Sequence, residues 1–225
     1  MVSGHPAAGG GRWLEVAPER VARWVTGFGE RHGGFSGTER GAEIVRFSAA
    51  DGAVAECHVP FPPLSAEPGE AVPALAAHAA VDRLVGVILV RLGGFAVGVF
   101  DGERLLVSKV GSRLVHGRSA AGGWSQQRFA RRRDKQAREA LAAAGDTAAG
   151  VLGPYADKLD AVVLGGDRRA VDGLRGDARL APLLALAADR FLTVPDPKLT
   201  ILKQTPRQFR AVRIRLTEPG HPPPA

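Results

Sequence analysis

The chain has 225 residues, 45% of them hydrophobic, with a formal net charge of +7 and a pI near 10.4. The lone Cys57 excludes an internal disulfide, and no apolar run approaches the ~20 residues of a membrane span. The Gly-, Ala- and Pro-rich start lacks the apolar region of a signal peptide, so we expect a soluble cytoplasmic protein that acts as a monomer without a membrane partner.

The first part of the chain, residues 1–61, is predicted to form a small N-terminal α+β unit. Apolar residues at helical spacing behind Pro18 predict a helix over 18–31. Two runs that flank Asp51-Gly52 predict a β-hairpin over 42–59. Prolines then become frequent, and we expect residues 62–80 to form a linker with a short helix.

The second part, residues 81–217, carries the pattern of a mixed sheet. Three apolar runs with short connections predict an antiparallel meander, and a long stretch without Pro or Gly predicts a helix over 125–144. The remaining pattern predicts a strand at 161–164, helical segments within 168–188 and a strand near 191–194. The order βββαβαβ is similar to the ribonuclease-H-like topology, which makes the fold class α+β. We expect residues 218–225 to be a flexible tail.

Nucleases with this topology hold two metal ions on acidic side chains of the sheet, and this chain lacks such carboxylates. Only Asp160 and Asp167 flank the strand at 161–164, which argues against a two-metal nuclease. The six histidines show no metal-ligand spacing. We therefore assign neither a metal nor a cofactor.

Positive charge is concentrated in two blocks. Residues 111–140 contain eight basic and two acidic residues, and a second block has a net charge of +6, which leaves −5 on the rest of the chain. Arginine forks match phosphate oxygens, so this distribution favours a polyphosphate partner over a merely solvated helix face. The residues of the first block predicted to bind RNA are Arg118, Arg128, Arg131, Arg132, Arg133 and Lys135. The second block consists of Lys198, Lys203, Arg207, Arg210, Arg213 and Arg215.

A glycine pair and two amides precede and enter the basic helix. Gly122 and Gly123 permit a close backbone approach to a ligand, and Ser125 is a candidate N-cap. Gln126 and Gln127 would then lie in the first turn, beside free backbone N–H groups. A glutamine is not a general base at neutral pH, so its predicted role is to position water or an oxyanion.

The segment Gly122-Gly123-Trp124-Ser125-Gln126, ahead of an arginine-rich helix and after a three-strand meander, resembles the catalytic domain of eukaryotic and archaeal release factors. Their Gly-Gly-Gln loop hydrolyses peptidyl-tRNA in the peptidyl-transferase centre. The sequence is more similar to the Vms/ANKZF-type branch and its actinobacterial relatives, in which the tip is Gly-x-x-Gln, as in residues 123–126 here.

This resemblance implies hydrolysis of the peptidyl-tRNA ester on the large subunit of stalled or split ribosomes. The expected nucleic-acid partner is therefore RNA, and no DNA partner is expected. Gln126 would place the attacking water, and Gly122 and Gly123 would allow entry to the centre. Gln127 is the alternative amide, although Gln126 completes Gly-x-x-Gln. Nothing resembles a codon-reading domain, so release would be independent of a stop codon. A noncatalytic ribosome- or tRNA-binding module that uses the basic helix is the main alternative.

Overall fold

The computed structural model describes residues 4–6, 10–65, 69–91, 94–112 and 125–220, with side chains from residue 138 onward in the helix that begins at Ser125. The chain divides into two compact units. Unit 1 comprises residues 1–81 and 207–225, and unit 2 comprises residues 82–206.

Unit 1 is built on a six-stranded antiparallel sheet. Its strands are β1 (Gly4–Pro6), β2 (Arg12–Val16), β3 (Phe35–Arg40), β4 (Ile44–Ala49), β5 (Val54–His58) and β11 (Val212–Thr217). They follow the order β1-β2-β11-β5-β4-β3. The helices of this unit are α1 (Val21–Arg31), which follows a 3-10 turn at Pro18–Arg20, and α2 (Ala71–Ala80).

The core of unit 1 lies between one face of this sheet and its two helices. Alternate strand residues are buried, as in β4, where Val45 and Phe47 face the core and Arg46 is exposed. Helix α1 contributes Val21, Val25 and Phe28, and α2 contributes Leu75 and Ala79. The spacing in α1 is that of one helical face.

The composition of unit 1 differs from the predicted domain organisation in two ways. The short helix predicted within residues 62–80 is α2, but the segment is not a linker, because Leu64 and the buried face of α2 belong to the core of unit 1. Residues 212–217, which were assigned from the sequence to the second part without a predicted strand, form β11 between β2 and β5 in the sheet of unit 1. Its alternating Val212, Ile214 and Leu216 fill that core. At the start of the predicted tail, Glu218 pairs with Arg12 at 3.1 Å.

Unit 2 contains a five-stranded mixed sheet. Its strands are β6 (Leu84–Arg91), β7 (Gly94–Asp101), β8 (Arg104–Ser112), β9 (Ala161–Gly166) and β10 (Ala187–Leu192). The order is β10-β9-β6-β7-β8. The first three strands form an antiparallel meander, and β9 and β10 run parallel to β6. This arrangement confirms the predicted α+β class and the βββαβαβ order.

The helices of unit 2 include one long helix and several short ones. They are α3 (Ser125–Leu152), α4 (Arg168–Gly173), α5 (Ala181–Ala185) and α6 (Leu199–Gln204), with 3-10 turns at Gly153–Tyr155, Leu174–Gly176 and Ala178–Leu180. A last short helix, α7 (Pro206–Phe209), spans the boundary between the units. No helix in the described part of the chain is both long and apolar enough to cross a bilayer.

Candidate active site

The predicted reactive tip belongs to the connection between β8 and α3. Strand β8 ends at Ser112 and helix α3 begins at Ser125, so the connection consists of residues 113–124. Arg118, Gly122 and Gly123 fall in this segment and lie outside the described residues. The structure therefore does not describe the conformation of the tip.

The other predicted site residues belong to the part of helix α3 in which only the backbone is described. The helix begins at Ser125, as predicted, so Gln126 and Gln127 occupy its first turn. The first turn of an α-helix has backbone N–H groups without partners inside the helix. The remaining predicted residues follow within the first eleven positions and are Arg128, Arg131, Arg132, Arg133 and Lys135. Their side chains lie outside the described set.

The other half of α3 is anchored in the core of unit 2. Ala144, Ala148 and Leu152 recur at intervals of four residues and are fully buried. Leu152 packs on Gly86 of β6, where a Cβ atom would lie 3.2 Å from Leu152 Cδ1. The helix therefore continues eight residues past its predicted end at 144, because this buried stripe outweighs the low helix propensity of Gly145 and Gly150.

The second basic block is divided between the two units. Lys198 and Lys203 belong to unit 2, whereas Arg207 to Arg215 belong to unit 1. Two of its arginines already have partners in unit 1. Arg213 lies over the Trp13 ring at 4.4 Å, and Arg215 Nη1 lies 3.5 Å from Glu56 Oε2. These contacts give both side chains a structural role in the sheet.

Cys57 and His58 lie on opposite faces of β5, as predicted from strand geometry. Cys57 is buried in the core of unit 1, and its burial raises the pKa of the thiol well above its usual range. His58 lies 5.0 Å from the Trp13 ring, edge to face. Burial, followed by the charge of Arg213, lowers the pKa of His58. Among the described residues no three His, Cys, Asp or Glu side chains are grouped to hold a metal ion.

The turn after β9 agrees with its predicted role as a strand-to-helix connection. β9 ends at Gly166, and Asp167 Oδ1 accepts hydrogen bonds from the backbone N–H groups of Arg169 at 2.8 Å and Ala170 at 3.3 Å. Asp167 is thus the N-cap of α4.

A pocket of unit 2 was not predicted from the sequence. It has a volume of about 400 Å³ and is lined in part by Arg91, Arg138 and Arg169. Arg138 belongs to the first basic block, but Arg91 and Arg169 lie outside both basic blocks. Their proximity results from the pairing of β6 with β9 and from the packing of α3, which no local pattern reveals.

The sheet order and the helix that begins Ser125-Gln126-Gln127 agree with the arrangement expected of a release-factor-like protein. The sequence model of the Actinobacteria/chloroflexi VLRF1 release factor family matches residues 83–215, which is more than half of the chain. The chain belongs to this family. The predicted relationship is confirmed.

Individual relatives are more distant. The peptide chain release factor subunit 1 of Archaeoglobus fulgidus is 33% identical over 84 residues, which cover 37% of this chain and 21% of that protein. The chain thus matches about a fifth of the length of this relative.

Two solved structures are similar in parts of their length. The archaeal translation termination factor aRF1 is 19% identical, with 73% of this chain and 51% of that chain covered at a TM-score of 0.41. The Vms1 mitochondrial localization core is 14% identical, with 80% and 77% covered at a TM-score of 0.41. Because identity and TM-score are this low, the family assignment of this chain depends on the match to the family model and not on the two similar structures.

Proposed function

We propose that this protein hydrolyses the ester bond of peptidyl-tRNA on stalled or split ribosomes, independently of a stop codon. Its Gly-x-x-Gln segment, residues 123–126, enters the peptidyl-transferase centre of the large subunit. Gln126 positions the attacking water there. Gly122 and Gly123 keep the backbone small enough to approach the ester.

The observation that carries this proposal is the start of α3 at Ser125, within the matched family region. It puts both amides of the candidate motif in the first turn of a helix whose other half is anchored in the sheet. A helix rises about 1.5 Å per residue, so 28 residues extend about 42 Å. A helix of this length can carry a reactive end on a firmly packed base.

The charge of the segment supports an RNA environment for the reaction. Arg128, Arg131, Arg132, Arg133 and Lys135 follow the amides directly, and Arg118 precedes them. Cationic side chains fix position on RNA through phosphate contacts and do not read its sequence. Since a glutamine amide neither accepts nor donates a proton at neutral pH, it contributes orientation, and the surrounding nucleotides supply the rest of the environment.

A noncatalytic docking module is the second candidate, favoured by the same basic residues. Both candidates predict RNA binding that weakens as salt increases, so binding does not separate them. Hydrolysis does.

The test measures release of a labelled peptide from peptidyl-tRNA on purified large ribosomal subunits. The variants are Gln126→Ala and Gln127→Ala, with Gln136→Ala as the matched control farther along α3. We expect Gln126→Ala to slow release by about 100-fold, as for loss of a group that stabilises the transition state. Gln136→Ala should release peptide at the wild-type rate.

The outcomes separate the alternatives. If Gln127→Ala releases peptide slowly and Gln126→Ala releases it at the wild-type rate, the water-positioning role belongs to Gln127. Equal rates for all variants would remove both amides from the mechanism. No release by the wild type, together with salt-sensitive binding to the subunit, would favour the docking module.

A further inference from the structure

The unpredicted pocket of unit 2 lies at the edge of the sheet where the parallel strands β6 and β9 end. Its walls come from four elements, which are the end of β6, the start of β7, α3 and the first turn of α4. Half of its ten lining residues have apolar side chains, namely Val90, Phe95, Ala140, Leu141 and Ala170. The carboxyl ends of parallel strands are a common place for ligands in α/β sheets.

Three guanidinium groups surround this apolar lining. Arg91 is held in place, because its Nη1 donates a hydrogen bond of 2.8 Å to the carbonyl oxygen of Val194. Arg138 and Arg169 are exposed, and neither forms an ion pair with any residue that the structure describes. They come from separate elements, α3 and α4, so both lie at the pocket only because of the fold.

The single carboxylate in the lining does not neutralise the arginines. Asp167 Oδ1 already accepts two backbone hydrogen bonds as the cap of α4. The lining residues therefore have a net charge of +2 at neutral pH, with three arginines against one aspartate. An anionic ligand with an apolar part fits this combination, because inorganic phosphate alone would leave the apolar lining unused.

We infer that this pocket binds a single unstacked nucleotide of RNA, with its base against Phe95 and Leu141 and its phosphate at Arg138 and Arg169. A volume of about 400 Å³ is within the range of small-ligand pockets. Arginine recognises phosphate with two parallel hydrogen bonds, and unpaired bases are the usual target of RNA-binding proteins. The inference deepens the proposed function, on which it rests for the source of the RNA, by adding a contact distinct from the Gly-x-x-Gln segment.

The experiment measures fluorescence anisotropy of the full chain with a labelled single-stranded RNA hexamer and with a blunt RNA duplex. Arg138→Ala and Arg169→Ala each remove one phosphate partner and should weaken hexamer binding by about tenfold. Each should also lower the slope of log affinity against log salt by about 0.7, as for one lost phosphate contact on a single strand.

A second variant tests the apolar part separately from charge. Ala140→Leu fills the pocket, keeps every arginine, and replaces one good helix former by another. It should weaken hexamer binding and leave duplex binding unchanged. The matched control is Arg104→Ala, a charge loss at the hairpin between β7 and β8, where Arg104 pairs with Asp101 at 2.9 Å. This control should bind both RNAs like the wild type.

Two results would overturn the inference. One is an Ala140→Leu variant that unfolds at the same temperature as the wild type and binds the hexamer with unchanged affinity. The other is a pocket variant that alters binding of a polyglutamate peptide but not of RNA, which would assign the pocket to a protein partner. Peptide release by the wild type, measured in parallel, keeps the proposals separate. If the wild type releases peptide but the pocket variants bind RNA normally, only the proposed nucleotide pocket is contradicted. If the pocket variants weaken RNA binding but the wild type releases no peptide, only the proposed hydrolase function is contradicted.

Discussion

Replacing Leu152 by Ala should loosen the anchor of the helix that carries the candidate motif. The side chain of Leu152 is fully buried. Three buried carbon groups are lost at about 0.8 kcal/mol each, which gives about 2.5 kcal/mol. The remaining cavity adds about 1 kcal/mol, so the free energy of unfolding of unit 2 should fall by about 3.5 kcal/mol.

The contact with Gly86 permits a stricter test through a second substitution. In the wild type, a Cβ at position 86 would lie 3.2 Å and 3.3 Å from the two Leu152 methyl groups and 3.3 Å from Leu159 Cδ1. Gly86→Ala alone should therefore cost about 1 kcal/mol through overpacking. In the Leu152→Ala background the same methyl group enters the cavity, so the two costs should not add. We expect a coupling of about 1 kcal/mol.

The measurement must report on unit 2, because the chain has two compact units and need not unfold in one step. Amide hydrogen exchange of β6 residues, read by mass spectrometry in increasing urea, gives that unit's stability for the wild type, both single variants and the double variant. Strict additivity of the two costs would refute the packing of Leu152 on Gly86. A loss below about 1 kcal/mol for Leu152→Ala would refute the anchor itself.

Two further predictions concern local features. Asp167→Ala removes both cap hydrogen bonds of α4 and should lower the free energy of unfolding of unit 2 by about 1 kcal/mol. Asp167→Asn keeps a side-chain oxygen that can accept these bonds and should retain most of the wild-type stability. Equal urea midpoints for the two variants would contradict the capping role. The lowered pKa of His58 means that the folded state binds fewer protons, so stability is complete above the unfolded value of 6.5 and is lost as pH falls toward the folded value. His58→Gln should therefore show a flatter decline of the unfolding midpoint than the wild type across this acidic range, and parallel declines would contradict the coupling.

Much of unit 2 could be predicted because its strands are continuous apolar runs. Strands β6 and β7 are buried on both faces, so their residues 84–90 and 95–100 stand out without any knowledge of partners. The helix start at Ser125 also carried a local signal, because a run of good helix formers without Gly or Pro begins there. The helix end did not, since Gly145 and Gly150 argue locally for a stop that tertiary packing overrides.

Unit 1 was harder to predict because its organisation depends on distant pairings. Strand β3 is exposed along most of its length, with the sequence Phe-Ser-Gly-Thr-Glu-Arg, and lacks the alternation that marks a half-buried strand. Strand β11 does alternate, but nothing in its residues says that its partners are β2 and β5, about 200 and 160 positions earlier. In the candidate site the helix was predictable, whereas the arginines of the pocket meet only through the fold.

The central position of β11 has a consequence for the synthesis of the protein itself. All five strands of unit 2 precede β11 in the chain, so that sheet can form while the nascent polypeptide is still being extended. The sheet of unit 1 cannot close until residues 212–217 have emerged, and until then β2 and β5 present unpaired backbone edges. Such edges recruit foreign strands, so a prematurely terminated copy is an aggregation hazard.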